Sequence, residues 1–99
     1  MTEGPELLEA HLAVSPETRI RLETHLRLLT EWNAKMNLVG PNELARYWSR
    51  HALDSAQLVS LAPETATKWL DLGAGAGFPG LVVAAFVADR PNARVHLVE

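Results

Sequence analysis

The sequence predicts an α/β chain: a helical N-terminal part over residues 1–66, then the start of a βαβ unit over residues 67–99. Three observations carry this. Proline-led segments with apolar residues at helical spacing fill the first two-thirds of the chain. From residue 67 the texture changes to short apolar runs. A stretch dense in glycine joins the first of these runs to the next.

The elements follow in order. Gly4-Pro5-Glu6, Ser15-Pro16-Glu17, Gly40-Pro41-Asn42-Glu43 and Ala62-Pro63-Glu64 each place Pro where a first helical turn tolerates its missing N–H. The acids that follow suit the positive end of the helix dipole, and Ser15 is the best cap among the four. Helices are expected at about 5–13, 16–36, 41–48 and 50–61. The long one carries Leu22, Leu26 and Leu29 at i, i+4, i+7. Ile20, Leu28, Trp32 and Met36 broaden that stripe, while Arg21, Glu23, Arg27 and Glu31 mostly sit off it. Lys68-Trp69-Leu70-Asp71-Leu72 reads as a buried strand. The apolar run from Leu81 to Ala88 reads as a buried helix closed before Pro91, and 94–99 as a second strand. The strand–helix–strand crossover is expected to be right-handed. A lone parallel pair lacks the helices that cover both faces of a parallel sheet, so the chain is expected to be a fragment of a larger one.

Composition narrows the function classes. At 47% hydrophobic and 21% charged, the 99 residues have the content of one folded domain or less. No cysteine is present, which excludes disulfides, thiolate metal sites and cysteine nucleophiles. No apolar run approaches the ~20 residues of a membrane span, and the acidic start MTEGPELLEAHL has no basic n-region, so a cytoplasmic protein is expected. The net charge of −3 argues mildly against a dedicated nucleic-acid binder. The balance is uneven, however: residues 1–31 and 71–99 are net acidic and residues 32–70 carry +1, so a polyanion-facing surface is expected in the middle third. His11, His25, His51 and His96 show no metal-ligand spacing, and no metal is expected.

The glycine stretch runs Gly73-Ala74-Gly75-Ala76-Gly77-Phe78-Pro79-Gly80. A phosphate-binding P-loop is excluded, because Leu81 and Val82 stand where its Lys and Ser/Thr are needed. The dinucleotide pattern GxGxxG is matched by Gly75, Gly77 and Gly80, but Gly73 holds the place just after the strand, and counted from Gly73 the third glycine falls on Phe78. Asp-x-Gly-x-Gly-x-Gly is met throughout by Asp71, Gly73, Gly75 and Gly77. A carboxylate at a strand tip repels pyrophosphate but holds an ammonium, so the pattern suits a nucleoside bearing an amino acid. Glu99, at the end of the second strand, stands where an acceptor for ribose hydroxyls is needed. The plainer alternatives are a tight glycine turn and, for Glu99, a solvated terminal residue.

The string from Asp71 to Gly80 resembles the first motif of S-adenosylmethionine-dependent methyltransferases. With Trp32-Asn33-Ala34-Lys35-Met36-Asn37-Leu38 and Arg50-His51-Ala52-Leu53-Asp54-Ser55 before it, the chain resembles the bacterial 16S ribosomal RNA guanine-N7 methyltransferase family, also called glucose-inhibited division protein B. The resemblance implies a Rossmann-like fold behind a helical cap, and methyl transfer from S-adenosylmethionine to N7 of a guanine in 16S rRNA of the small ribosomal subunit. It implies that Asp71, Gly73, Gly75, Ala76, Gly77, Phe78 and Glu99 serve the cofactor. Guanine N7 has an in-plane lone pair and no proton, so no catalytic acid or base is expected. Family members are about twice as long, and residues 1–99 alone are expected to be inactive.

The upstream residues keep two readings each. Asn37 approaches the cofactor or target base, or it caps the long helix. Arg46 and Arg50 contact RNA phosphates, or they sit on a solvated face with Glu43 or Asp54. His51 contacts RNA, or it is a packed, hydrogen-bonded helix histidine. Trp32, Trp48 and Trp69 stack on bases or fill the core. Two rival functions stand beside the methyltransferase: a nucleotide-binding piece of an NAD-dependent oxidoreductase, and a non-enzymatic interaction module.

Overall fold

The computed structural model describes residues 3–40, 42–73 and 75–98. The chain begins with α1 (Pro5–Glu9) and α2 (Pro16–Met36). A 3₁₀ turn (Leu44–Arg46) and a π-helical turn (Tyr47–Ala52) then run without a break into α3 (Leu53–Leu61). β1 (Lys68–Leu72), α4 (Gly80–Val87) and β2 (Arg94–Val98) close the described chain. The two strands pair in parallel, Lys68 opposite Arg94 and Leu72 opposite Val98.

Helix α2 starts and ends where its sequence says. The Ser15 side chain accepts the Thr18 N–H at 3.1 Å, and Pro16 opens the first turn. At the other end Asn37 adopts the left-handed conformation (φ 49°, ψ 55°) and returns its N–H to Asn33, a C-cap that a short polar side chain tolerates. Helix α1 is shorter than the expected 5–13. It stops at Glu9, and the chain turns so that Leu12 and Val14 reach the core before Pro16 fixes the next helix. The helix expected over 41–48 is replaced by the 3₁₀ and π turns, with Pro41 outside the described residues. The wider π turn brings Tyr47, Trp48 and Ala52 all inward, which leaves them 1%, 3% and 0% exposed.

The core lies where α4 meets the helical part of the chain. Leu8, Leu22, Leu29, Tyr47, Ala56 and Val82 are buried together, so one apolar interior serves both parts. Arg21 ties the same junction from outside. Its guanidinium donates to the Ala85 carbonyl at 3.1 Å and to both Asp89 oxygens, at 2.9 and 3.2 Å. The fork geometry suits a carboxylate, and Arg21 holds the Asp89 carboxyl below its ordinary range.

Two expectations about burial are corrected. Ile20, Leu28, Trp32 and Met36 do not widen the buried stripe of α2; they are exposed. The neighbouring elements cover only the arc holding Leu22, Leu26 and Leu29. The strand expected to be buried, β1, alternates instead: Trp69 and Asp71 turn inward while Leu70 and Leu72 are exposed. Helix α4 packs against one face of the sheet, and nothing among the described residues covers the other.

Two leucines on one helix test this arrangement. Leu22→Ala is expected to lower unfolding free energy by roughly 2–5 kcal/mol, and Leu28→Ala by less than about 1 kcal/mol, in urea titrations. Equal losses would contradict the narrow buried face.

Candidate functional site

The glycine loop links the carboxyl end of β1 to the first turn of α4. Gly73, Gly75 and Gly77 all have positive φ, at 76°, 50° and 104°. A Cβ in the left-handed region crowds the following carbonyl, at a cost of roughly 1–2 kcal/mol per residue. Gly75 shows the consequence most clearly, since a side chain there would be strained and would point into open space. The same holds at Gly73, where a Cβ would meet nothing within 4 Å. The loop therefore carries no side chain on one side, its bare side, while the Gly73 N–H donates to the Val98 carbonyl at 2.5 Å.

Its exit is fixed by Asp71. That carboxylate accepts the Gly80 N–H at 2.9 Å, which satisfies one of the orphan donors at the start of α4. The contact requires glycine, because a Cβ at position 80 would lie 2.8 Å from Asp71 Oδ2 and 2.8 Å from the Leu97 side chain. Gly80 lies outside the residues the sequence nominates for the site, although its place as the last glycine of the stretch is the available signal.

The other side of the loop is gripped by the helical part of the chain. The Phe78 ring stacks on His51 with centroids 4.3 Å apart and planes 18° from parallel. His25 and Tyr47 approach the same ring at 5.3 and 5.9 Å. His51 Nε2 and Glu43 Oε2 are 2.5 Å apart. His25 places Nε2 3.3 Å from the Ala76 carbonyl and Nδ1 2.9 Å from the Tyr47 hydroxyl. These partners assign the neutral ring's proton to Nε2, which donates to Ala76 while Nδ1 accepts from Tyr47. The Tyr47 hydroxyl is also 3.2 Å from the Leu22 carbonyl. Burial pushes the His25 pKa below its ordinary 6.5, against a smaller upward pull from the Ala76 carbonyl. Burial likewise raises that of Tyr47.

His25 and Tyr47 belong to no motif in the sequence. The available signal was His25's place on the inward arc of α2, three residues after Leu22, where a polar ring needs partners.

The remaining candidates lie apart from the loop. Asn37 caps α2 and lines a hollow with Asn33, Leu38, Val39 and Gly40, and no residue of the glycine loop lines it. Arg46 and Arg50 are exposed and make no ion pair with the described residues. The His51 ring is engaged on its edge by Glu43 and on its face by Phe78. Trp48 is buried, whereas Trp32 is half-exposed with the Lys35 ammonium 5.1 Å from its ring. Glu99 lies outside the described residues. Among the described residues, no group of three or more His, Asp or Glu side chains could hold a metal ion. No helix among them is long and apolar enough to cross a membrane.

Residues 19–99, from the first turn of α2 through the glycine loop to β2, match the family described as rRNA small subunit methyltransferase G (GidB). The chain belongs to this family. Curated relatives named "Ribosomal RNA small subunit methyltransferase G" agree. That of Bradyrhizobium sp. (strain ORS 278) is 57% identical over 87% of this chain and 38% of its own length. That of Caulobacter vibrioides (strain NA1000 / CB15N) is 67% identical over 73% of this chain and 33% of its own. That of Parvibaculum lavamentivorans is 46% identical over 97% and 45%. The chain thus spans between a third and a half of the length of these GidB relatives. No solved structure matches it significantly.

The His25 environment predicts an acid-sensitive fold. The folded protein binds a proton at His25 less readily than the unfolded chain does, so this contribution to stability is present above about pH 6.5 and is lost as pH falls through the lowered folded value. Between about pH 7.5 and 5.5, the melting temperature of the native protein is expected to fall further than that of His25→Gln. Parallel curves would contradict the assignment.

Proposed function

We propose that the protein carries the cofactor-binding start of a Rossmann-like methyltransferase that transfers a methyl group from S-adenosylmethionine to N7 of a guanine in 16S rRNA. The observation that carries the reading is the loop between β1 and α4, where glycine at positions 73 and 75 leaves open the space into which a Cβ would project. That cradle fits the cofactor. The backbone at Gly73 and Gly75 would line it, while Gly77, buried against Leu81 and His25, and Ala76, whose carbonyl faces His25, would support the loop from behind, with Phe78 closing it. Asp71, one oxygen of which holds Gly80, would use its other oxygen toward the ammonium. Glu99 would serve the ribose. Bound there, S-adenosylmethionine supplies an electrophilic methyl group on a sulfonium sulfur.

The chain's own residues have little proton chemistry to do. Guanine N7 carries a free lone pair and loses no proton, so no side chain acts as acid or base, and none is assigned as catalytic. The task of the loop is alignment, holding the donor so that the reacting atoms meet about 3–3.5 Å apart in line. Residues 1–66 would act as a cap on the RNA side, with 67–99 opening the methyltransferase domain. Arg46 and Arg50, exposed and without acidic partners among the described residues, are suited to phosphates of the small-subunit RNA, and Asn37 lies on the same middle third. For His51 we favour support of Phe78 over RNA contact, since its ring is already engaged. Action on ribosomal RNA places the work in the cytoplasm.

Calorimetric titration tests the reading. S-adenosylhomocysteine is expected to bind and NAD is not, and Gly75→Val is expected to lower S-adenosylhomocysteine affinity at least about tenfold while the protein stays folded. Binding of NAD alone, or full affinity in Gly75→Val, would overturn it.

A further inference from the structure

We propose that His25 and Tyr47, with the Glu43–His51 pair, are positioning residues that hold the glycine loop in its open-cradle shape before any ligand arrives. A loop with three left-handed glycines has little conformational preference of its own, because glycine visits both halves of φ space readily. Its shape must therefore be imposed. The entry is fixed by the Gly73 N–H on the Val98 carbonyl, and the exit by Asp71 on the Gly80 N–H and by the Leu81 N–H on the Gly77 carbonyl. The centre of the loop is fixed from the helical part of the chain, at two points.

The first point is the Ala76 carbonyl, which lies between two of those glycines and accepts from His25 Nε2. His25 is itself oriented by the Tyr47 hydroxyl on its other nitrogen. The second point is the Phe78 ring, seated on His51 and flanked by His25 and Tyr47. Glu43 in turn fixes the His51 ring from its edge. Both points draw on α2 and on the turns before α3, which bury Leu22 and Tyr47 almost completely and so give the anchors a rigid base. The helical part of the chain is thus a structural half of the loop site. Holding the loop in advance removes an ordering cost that a ligand would otherwise bear.

The positioning is read without ligand; its consequence for affinity rests on the cofactor reading proposed above. The test is backbone amide hydrogen exchange of the ligand-free protein, followed by S-adenosylhomocysteine titration. His25→Leu, which removes both hydrogen bonds, is expected to speed exchange within residues 73–77 at least about threefold while the amides of β1 keep their rates. His25→Gln keeps a donor toward Ala76 and is expected to restore native loop rates. Tyr47→Phe keeps the ring and removes only the hydroxyl, so it gives a second reading should His25→Leu fail to fold; it is expected to loosen the loop less than His25→Leu but measurably. Affinity is expected to weaken in the order of loop loosening. Unchanged loop rates in both His25→Leu and Tyr47→Phe, or faster exchange spread evenly over α2, α4 and the loop, would overturn the positioning role. A loop that loosens as described in a protein that never binds S-adenosylhomocysteine would leave the positioning role standing and overturn the cofactor reading.

Discussion

The structure depends on α4 having protein on two sides. Val82 and Ala85 pack into the cluster built from Leu22, Leu29, Tyr47 and Ala56, while Val83 faces Trp69 and Val95 of the sheet. A helix buried on opposite sides must be apolar nearly all round, which is what the run from Leu81 to Val87 provides. Because α4 is fixed by the helical part of the chain, its first turn is fixed too, and with it the end of the glycine loop. Arg21 locks the far end of the same helix through the Ala85 carbonyl and Asp89.

From this one placement the candidate site follows. Asp71 can reach the Gly80 N–H only because α4 starts beside the tip of β1, and the glycine at position 80 allows that approach. At Gly73 and Gly75 the space where a Cβ would lie is open, so the loop carries no side chain on that side. Phe78 turns the opposite way, into the rings of His25, Tyr47 and His51. The division of the loop into a side without side chains and a gripped side is what sets it apart from an ordinary strand-to-helix turn.

Much of this was legible in the residues. Ser15-Pro16 and Asn37 bound α2 because caps and prolines act locally, and the strand, glycine and helix runs after residue 67 announce themselves in the same way. What was not legible depends on partners far along the chain. The exposure of Ile20 and Met36 reflects how little of α2 its neighbours reach, and no periodicity encodes that. The π turn at Tyr47–Ala52 serves a core contributed by α2 and α4, so a local helix rule misplaces it. His25 carries no motif; its meaning comes from Tyr47 and from Ala76, 22 and 51 residues further on. The alternation of β1 shows the same limit from the other side, since an apolar run does not reveal how many faces of a sheet are covered.

The central claim is that a ligand enters on the bare side of the loop while the gripped side stays as it is. A crystal structure of the protein grown with S-adenosylhomocysteine tests this most directly. The account predicts ligand density against the backbone of Gly73 and Gly75, with the Phe78 ring still stacked on His51. Density at another place on the surface, or a Phe78 ring withdrawn from His51 to admit the ligand, would contradict it.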